Sequence, residues 1–140
     1  MTSNQFSWTF TVGRESIDVN GHVNNVEYVR WMQEVAMRHT TNVGADIRTA
    51  AAGLIWVVRS HEIEYRLPAH EGDEVRITTW IESVERVSSC RRYDFRRTKD
   101  DAVIASGKTK WVCLNRKTGR PAAIPEHLIA MYFDDSTTDQ

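Results

Sequence analysis

Cysteine is scarce in this chain: Cys90 and Cys113 are the only two in 140 residues. Both fall in strand-like alternation without a Cys-x-x-Cys spacing, so reduced core thiols are expected, not a disulfide or a metal site. His22, His39, His61, His70 and His127 likewise show no ligand-like spacing with each other or with cysteine. Excess charge is also missing. A formal net charge of −1 gives no electrostatic reason to expect nucleic acid or an anionic membrane surface as a partner. The longest nearly apolar run, residues 50–58, is much too short to span a bilayer. The opening Met1-Thr2-Ser3-Asn4-Gln5 lacks a basic n-region and an apolar h-region, so a signal peptide is not expected and a cytoplasmic location is. A Gly-rich phosphate loop and a Gly-x-Ser-x-Gly elbow are absent too, which argues against nucleotide-loop and serine-elbow chemistry.

What remains is ordinary in bulk and specific in one place. Hydrophobic content of 41% with 26% charged residues suits a soluble globular chain, and the length is sufficient for one core. Repeats, linkers and low-complexity segments are lacking, so we expect one domain over residues 1–133 and a disordered tail over 134–140. The specific stretch is Asp18-Val19-Asn20-Gly21-His22-Val23-Asn24-Asn25-Val26-Glu27-Tyr28. Asn20-Gly21 signals a turn, because glycine tolerates positive φ and asparagine tolerates it better than most residues. Asn24 and Glu27 have the N-cap and N3 spacing of a capping box. Val26, Val29, Met32, Val35 and Ala36 then recur at helical spacing up to the natural stop at Gly44, which predicts a long amphipathic helix over Asn25–Val43. Glu27 near its start and Arg38 and His39 near its end suit the helix dipole.

Around this helix the chain reads as strands. Phe6, Trp8, Phe10 and Val12 alternate with polar residues, a period of two that marks a half-buried first strand. Asp46 can cap a short helix that Gly53 ends. Leu54–Val58 is apolar, Ile63, Tyr65 and Leu67 alternate with charged neighbours, and Pro68 with Glu71-Gly72-Asp73 closes that stretch. Val75, Ile77, Thr79 and Ile81 mark the next strand, and Tyr93 and Phe95 the one after it. Asp100-Asp101 reads as a hairpin tip, followed by a long strand with Ala105, Gly107, Thr109, Trp111 and Cys113 on one face. Pro125 can open a terminal helix. One helix followed by successive antiparallel strands is an α+β arrangement.

Asp-x-Asn-Gly-His-Val-Asn-Asn-x-x-Tyr running into an amphipathic helix resembles the signature of the hotdog-fold acyl-CoA thioesterases related to 4-hydroxybenzoyl-CoA thioesterase. The Asp-x-Asn-x-His-Val-Asn-Asn part also looks like plant acyl-ACP thioesterases. The likeness extends through Ile63–Ala69, Gly72–Val75 and the later strands to Pro121–Pro125. It implies a curled antiparallel sheet wrapped around the Asn25–Val43 helix. It also implies hydrolysis of an acyl thioester to a carboxylic acid and a free thiol, without a metal or other cofactor. The substrate partner would be acyl-CoA, with acyl-ACP as the first alternative and a non-catalytic acyl-thioester binding module as the second. The family precedent is a homodimer or homotetramer with sites built across an interface. An apolar patch of Trp80, Val84, Val112 and Leu114 on the outer sheet face agrees with such association.

Thioester hydrolysis needs a nucleophile or a base that activates water, and an ionised carboxylate can be either. The resemblance places Asp18 in that role; an Asx turn that merely fixes the loop is its structural alternative. The Asn25 amide, first N–H of the helix, matches the family's oxyanion donor. His22 and Asn20 match residues counted as catalytic in the acyl-ACP branch, as base and orienting group, or else hold the loop by hydrogen bonds. That branch has also been read with a cysteine after its Tyr-Arg strand. Here Tyr65-Arg66-Leu67-Pro68-Ala69 carries neither cysteine nor glutamate, so Cys90 is expected to pack. Arg86 with Ser88 and Ser89 falls where the family often contacts the nucleotide or pantetheine arm. Arg91 and Arg92 read equally as a solvated strand edge. Tyr28, Trp31 and Trp56 either line an acyl pocket or fill the core.

Overall fold

A computed structural model describes residues 4–133 of the chain; the tail expected over 134–140 lies outside them. Five antiparallel strands form one sheet in the order β1-β3-β4-β5-β2, with β1 at Phe6–Thr11, β2 at Leu54–Tyr65, β3 at Glu74–Val84, β4 at Ser88–Arg97 and β5 at Ala102–Asn115. Helix α1, Asn25–Val43, lies across the concave face, which is the hotdog arrangement that the signature implies. Alternation decides which side chains meet it. Val75, Ile77 and Thr79 from β3, and Tyr93 and Phe95 from β4, turn inward and are 2% exposed or less. Met32 and Val35 of α1 are fully buried against this layer. Gly107 of β5 makes room for the helix, since a Cβ there would stand 3.2 Å from Met32 Cε and 3.1 Å from the Glu62 carbonyl.

β2 is longer than its apolar pattern suggests. It runs unbroken over twelve residues because a bulge between Val58 and Ser60 absorbs one residue. That bulge keeps Leu54, Trp56 and Val58 on the same face as His61, Ile63 and Tyr65 across the change of pattern. Gly44 ends α1 in the left-handed region at φ 80° and also precedes α2, Ala45–Ala51. The second helix therefore starts before Asp46, which sits inside its first turn and not at the cap. The terminal helix α3, Glu126–Phe133, seats Leu128 on Leu54 and Cys113 in a second, smaller core.

Two expectations about the sheet need correction. Cys113 is a core thiol, whereas Cys90 points to the outer face and is only half-buried. Its position follows from strand parity, because its neighbours Ser89 and Arg91 take the inner face. Val112 is 8% exposed, so the outer apolar patch is smaller than expected. Val84 of that patch is 40% exposed, and the edge strand β2 adds Ile55 and Val57 at 37% and 36%. Among the described residues no helix is long and apolar enough to cross a membrane.

Candidate active site at the amino end of the central helix

The stretch from Ser16 to Asn24 folds back on itself just before α1. Ile17 and Val23 form an isolated antiparallel bridge, the Asp18 N–H donates to the His22 carbonyl, and the Asn24 N–H donates to the Ser16 carbonyl. Gly21 closes the turn at φ 80°, a conformation that costs glycine little. The Val23 N–H donates to the Ala69 carbonyl, which ties the loop to the segment leaving β2. Asp18 Oδ1 accepts the Asn20 N–H at 2.9 Å. The Asx turn considered for this residue is thus present, and it fixes the carboxylate through one oxygen. Oδ2 has no protein partner among the described residues.

Asn24 is the N-cap, its side chain accepting the Val26 N–H at 2.9 Å. The capping box is not made. Glu27 instead receives the Ser16 hydroxyl at 2.8 Å and pairs with Arg30 at 3.1 Å, leaving it 8% exposed. Those contacts brace the 3₁₀ turn Arg14–Ser16 against the helix and draw Glu27 away from the cap. The Asn25 N–H has no acceptor among the described residues, and the helix end polarises it toward negative charge. The Tyr65 hydroxyl approaches the Asn25 carbonyl at 3.4 Å.

His22 and Asn20 are exposed at the tip of the loop. The structure brings to His22 a residue the sequence reading did not single out for chemistry. The rings of His22 and His70 meet edge-on with centroids 5.1 Å apart, and His70 lies 3.8 Å from Asp73. Asp73 also accepts the His70 N–H at 2.9 Å, so the His-x-x-Asp spacing is a local turn. That spacing, placed just after a strand, is the signal that could have flagged His70. Tyr28 belongs to the core, 2% exposed and in ring contact with Trp31, Tyr65 and Phe95. Burial, with smaller contributions from Tyr65 and Asp73, pushes its phenol up to about 12, so it is protonated at neutral pH.

A cavity of about 450 Å³ lies against the second half of α1. Met37 and Thr40 of the helix, Trp56 of β2, Trp111 of β5 and Tyr132 of α3 wall it, with Ser89 and Arg91 from β4. Of the expected substrate contacts, Trp56 and Ser89 reach this cavity and Tyr28 does not. Ser88 lines a polar recess on the outer face together with Cys90, Lys108 and Lys110. Burial pushes the Cys90 and Cys113 thiols up, so neither is primed as a thiolate. Arg86 is exposed, its carbonyl accepting the Ile124 N–H. Arg92 pairs with Glu82 at 2.9 Å on the outer face. Arg91 is not a strand-edge charge at all. It is 4% exposed and turned inward with Tyr93 and Phe95. Among the described residues no group of three or more His, Cys, Asp or Glu side chains is placed to hold a metal.

Residues 3–132 match the family model described as the acyl-ACP thioesterase N-terminal domain. The chain is 30% identical over 132 residues to oleoyl-acyl carrier protein thioesterase 2 of Arabidopsis thaliana, covering 89% of this chain and 36% of that protein. It is 26% identical over 112 residues to the long-chain acyl-CoA thioesterase FadM of Escherichia coli, covering 80% of this chain and 85% of that one. The chain thus spans about a third of the plant relative but most of the bacterial one. The 1,4-dihydroxy-2-naphthoyl-CoA thioesterase of Synechocystis shares the fold, with a TM-score of 0.83 at 17% identity over 93% of this chain and 96% of that one.

Proposed function

The chain belongs to the acyl-ACP thioesterase N-terminal domain family, and on that premise we propose that it hydrolyses acyl-CoA thioesters to a carboxylic acid and free coenzyme A. The observation that carries this reading is the free Asn25 N–H at a helix start, with a loop clamped to that start whose carboxylate keeps one oxygen open. The thioester oxygen accepts the Asn25 N–H, which stabilises negative charge on it as the carbonyl carbon becomes tetrahedral. Asp18 then acts in one of two ways. It adds to the carbonyl carbon and expels the thiolate, leaving an acyl–aspartyl anhydride that water opens; or it takes a proton from the water that attacks. Asn20 positions Asp18 through its backbone N–H, and His22 with His70 flanks the loop. None of these steps calls on a cofactor.

The long edge strand β2, with Ile55 and Val57 37% and 36% exposed, supports a homodimer or homotetramer assembled through that edge. Sedimentation together with activity tests this part, and a fully active monomer contradicts it. A second reading, hydrolysis of acyl-ACP, is favoured by the family match itself. Thiol release from one acyl chain carried on CoA and on carrier protein separates the two. Faster release from CoA supports the first, and faster release from carrier protein supports the second. Binding of both without release would leave a non-catalytic acyl-thioester module.

A further inference from the structure

Arg91 is a buried cation facing the 450 Å³ cavity, and among the described residues it makes no ion pair. Its Nη1 donates to His39 Nδ1 at 2.9 Å and to Thr79 Oγ1 at 3.1 Å, and its guanidinium lies 5.7 Å from the Tyr132 ring centroid. All of these partners are neutral. His39 is 3% exposed, and burial, with Arg91 behind it, holds its imidazole down at about 3, so it only accepts at neutral pH. Among the described residues no carboxylate pairs with Arg91, and none figures among the charges acting on it. An isolated buried ion carries an effective desolvation penalty of several kcal/mol, and arginine does not shed its proton to escape it.

The Trp111 N–H and the Tyr93 hydroxyl are both buried, and they interact with each other, the hydroxyl also lying beside Thr109. Trp111 lines the cavity, and Tyr93 follows Arg91 on the same face of β4. Most of the remaining wall suits a chain of methylenes, with Met37, Trp56, Ile81 and Ile129 apolar, while Asp46 of α2 puts a carboxylate on the same lining. A buried guanidinium without a carboxylate partner, on the wall of a mostly apolar cavity, calls for an acceptor group bearing negative charge. A methyl end would desolvate the cation further and return nothing, and a hydroxyl would leave its charge uncompensated.

We propose that this cavity selects acyl groups carrying a carboxylate at the end remote from the thioester, held by Arg91, with Trp111 lining the same cavity. This rests on the acyl-thioester reading above. From Asn25 to His39 the helix rises about 21 Å, so such a group belongs to an extended chain and not to a short or single-ring acyl substituent.

Non-hydrolysable thioether analogues of CoA separate this proposal from turnover. Calorimetry on the full chain compares hexadecyl-CoA with the same chain ending in a carboxylate. Wild type should bind the carboxylate-ended analogue about tenfold or more tightly than the methyl-ended one. Arg91→Met should erase or reverse that order while methyl-ended binding holds or improves. Arg91→Gln serves where the methionine variant fails to fold, and the wild-type ratio decides even without either. Equal or tighter wild-type binding of the methyl-ended analogue would overturn the proposal while leaving the thioesterase reading intact. Binding of neither analogue would overturn both, and so would mark the failure of the underlying reading.

Discussion

The two ends of α1 are built by opposite means. At its amino end, residues 16–28 hold one another through short backbone and side-chain hydrogen bonds, with Asp18 half-buried and Asn20, His22 and Asn25 exposed. Toward its carboxyl end, His39, Thr79, Arg91 and Tyr132 come from four different elements and are tied together inside the protein. An exposed, locally made loop can lose a side chain with little effect on the fold. A buried polar cluster drawn from distant segments cannot, because each group removed leaves another unsatisfied in a medium of low dielectric. Chemistry is proposed for the first end, and recognition together with stability for the second.

The buried end should give the largest effect on stability, and pH exposes it. Unfolded, His39 takes a proton near its ordinary value of 6.5; folded, it resists until about 3. Between those values the unfolded chain holds a proton that the folded chain does not. Stability is therefore fully present above about 6.5 and is lost as pH falls toward 3, by an amount on the order of 4 kcal/mol. Urea midpoints measured across that window should fall steeply for wild type and less steeply for His39→Gln. A parallel fall in the two would break the assignment.

Cys113 offers a smaller test of the same contrast. It is fully buried under α3 with Leu54 and Leu128, and Cys113→Ala should lower stability by roughly 1–2 kcal/mol. Cys90→Ala, on the outer face, should change it by less than about 0.5 kcal/mol. Neither should alter turnover much, because neither thiol is proposed to touch the thioester; loss of activity in a well-folded variant would revive cysteine chemistry.

At the exposed end the expected stability changes shrink again. Asn24→Ala removes the side-chain cap on the Val26 N–H and should cost about 1 kcal/mol in chemical unfolding. Asn20→Ala keeps the backbone N–H that Asp18 uses, and its side chain is exposed. It should therefore leave stability within about 0.5 kcal/mol of wild type. A loss there as large as that of Cys113→Ala would mean that the loop is more deeply integrated than its contacts imply.

The same contrast explains what could be read from the sequence. The α+β arrangement, the helix bounds and the Asp18 loop were legible because they are encoded in short range, in a turn dipeptide, a cap, a helical period and alternating strands, while the hotdog wrapping came from the family resemblance. Asp18 fixed by its own Asx turn is a relation between neighbours. The Glu27 contact with Ser16 was not legible, since capping-box spacing cannot announce a competing hydroxyl eleven residues earlier. Arg91 was misread because a charged residue between Cys90 and Arg92 looks like solvated edge. Its parity with Tyr93 and Phe95 pointed inward, but composition outweighed parity. His39 follows Val35 and Ala36 at helical spacing and so shares their buried face, where it is neutral and adds no charge to the helix end. His70 reaches His22 only because the turn after β2 is clamped to the signature loop.

The central claim is that an ionised carboxylate at the amino end of α1 drives thioester hydrolysis. Thiol release from a panel of acyl-CoAs, measured for wild type and for Asp18→Asn with both shown to be folded, tests it most directly. The account predicts turnover by wild type on at least one chain. It predicts that the variant keeps less than about a tenth of that rate, a barrier increase of at least roughly 1.4 kcal/mol. A folded Asp18→Asn variant that releases thiol at more than a tenth of the wild-type rate would contradict it.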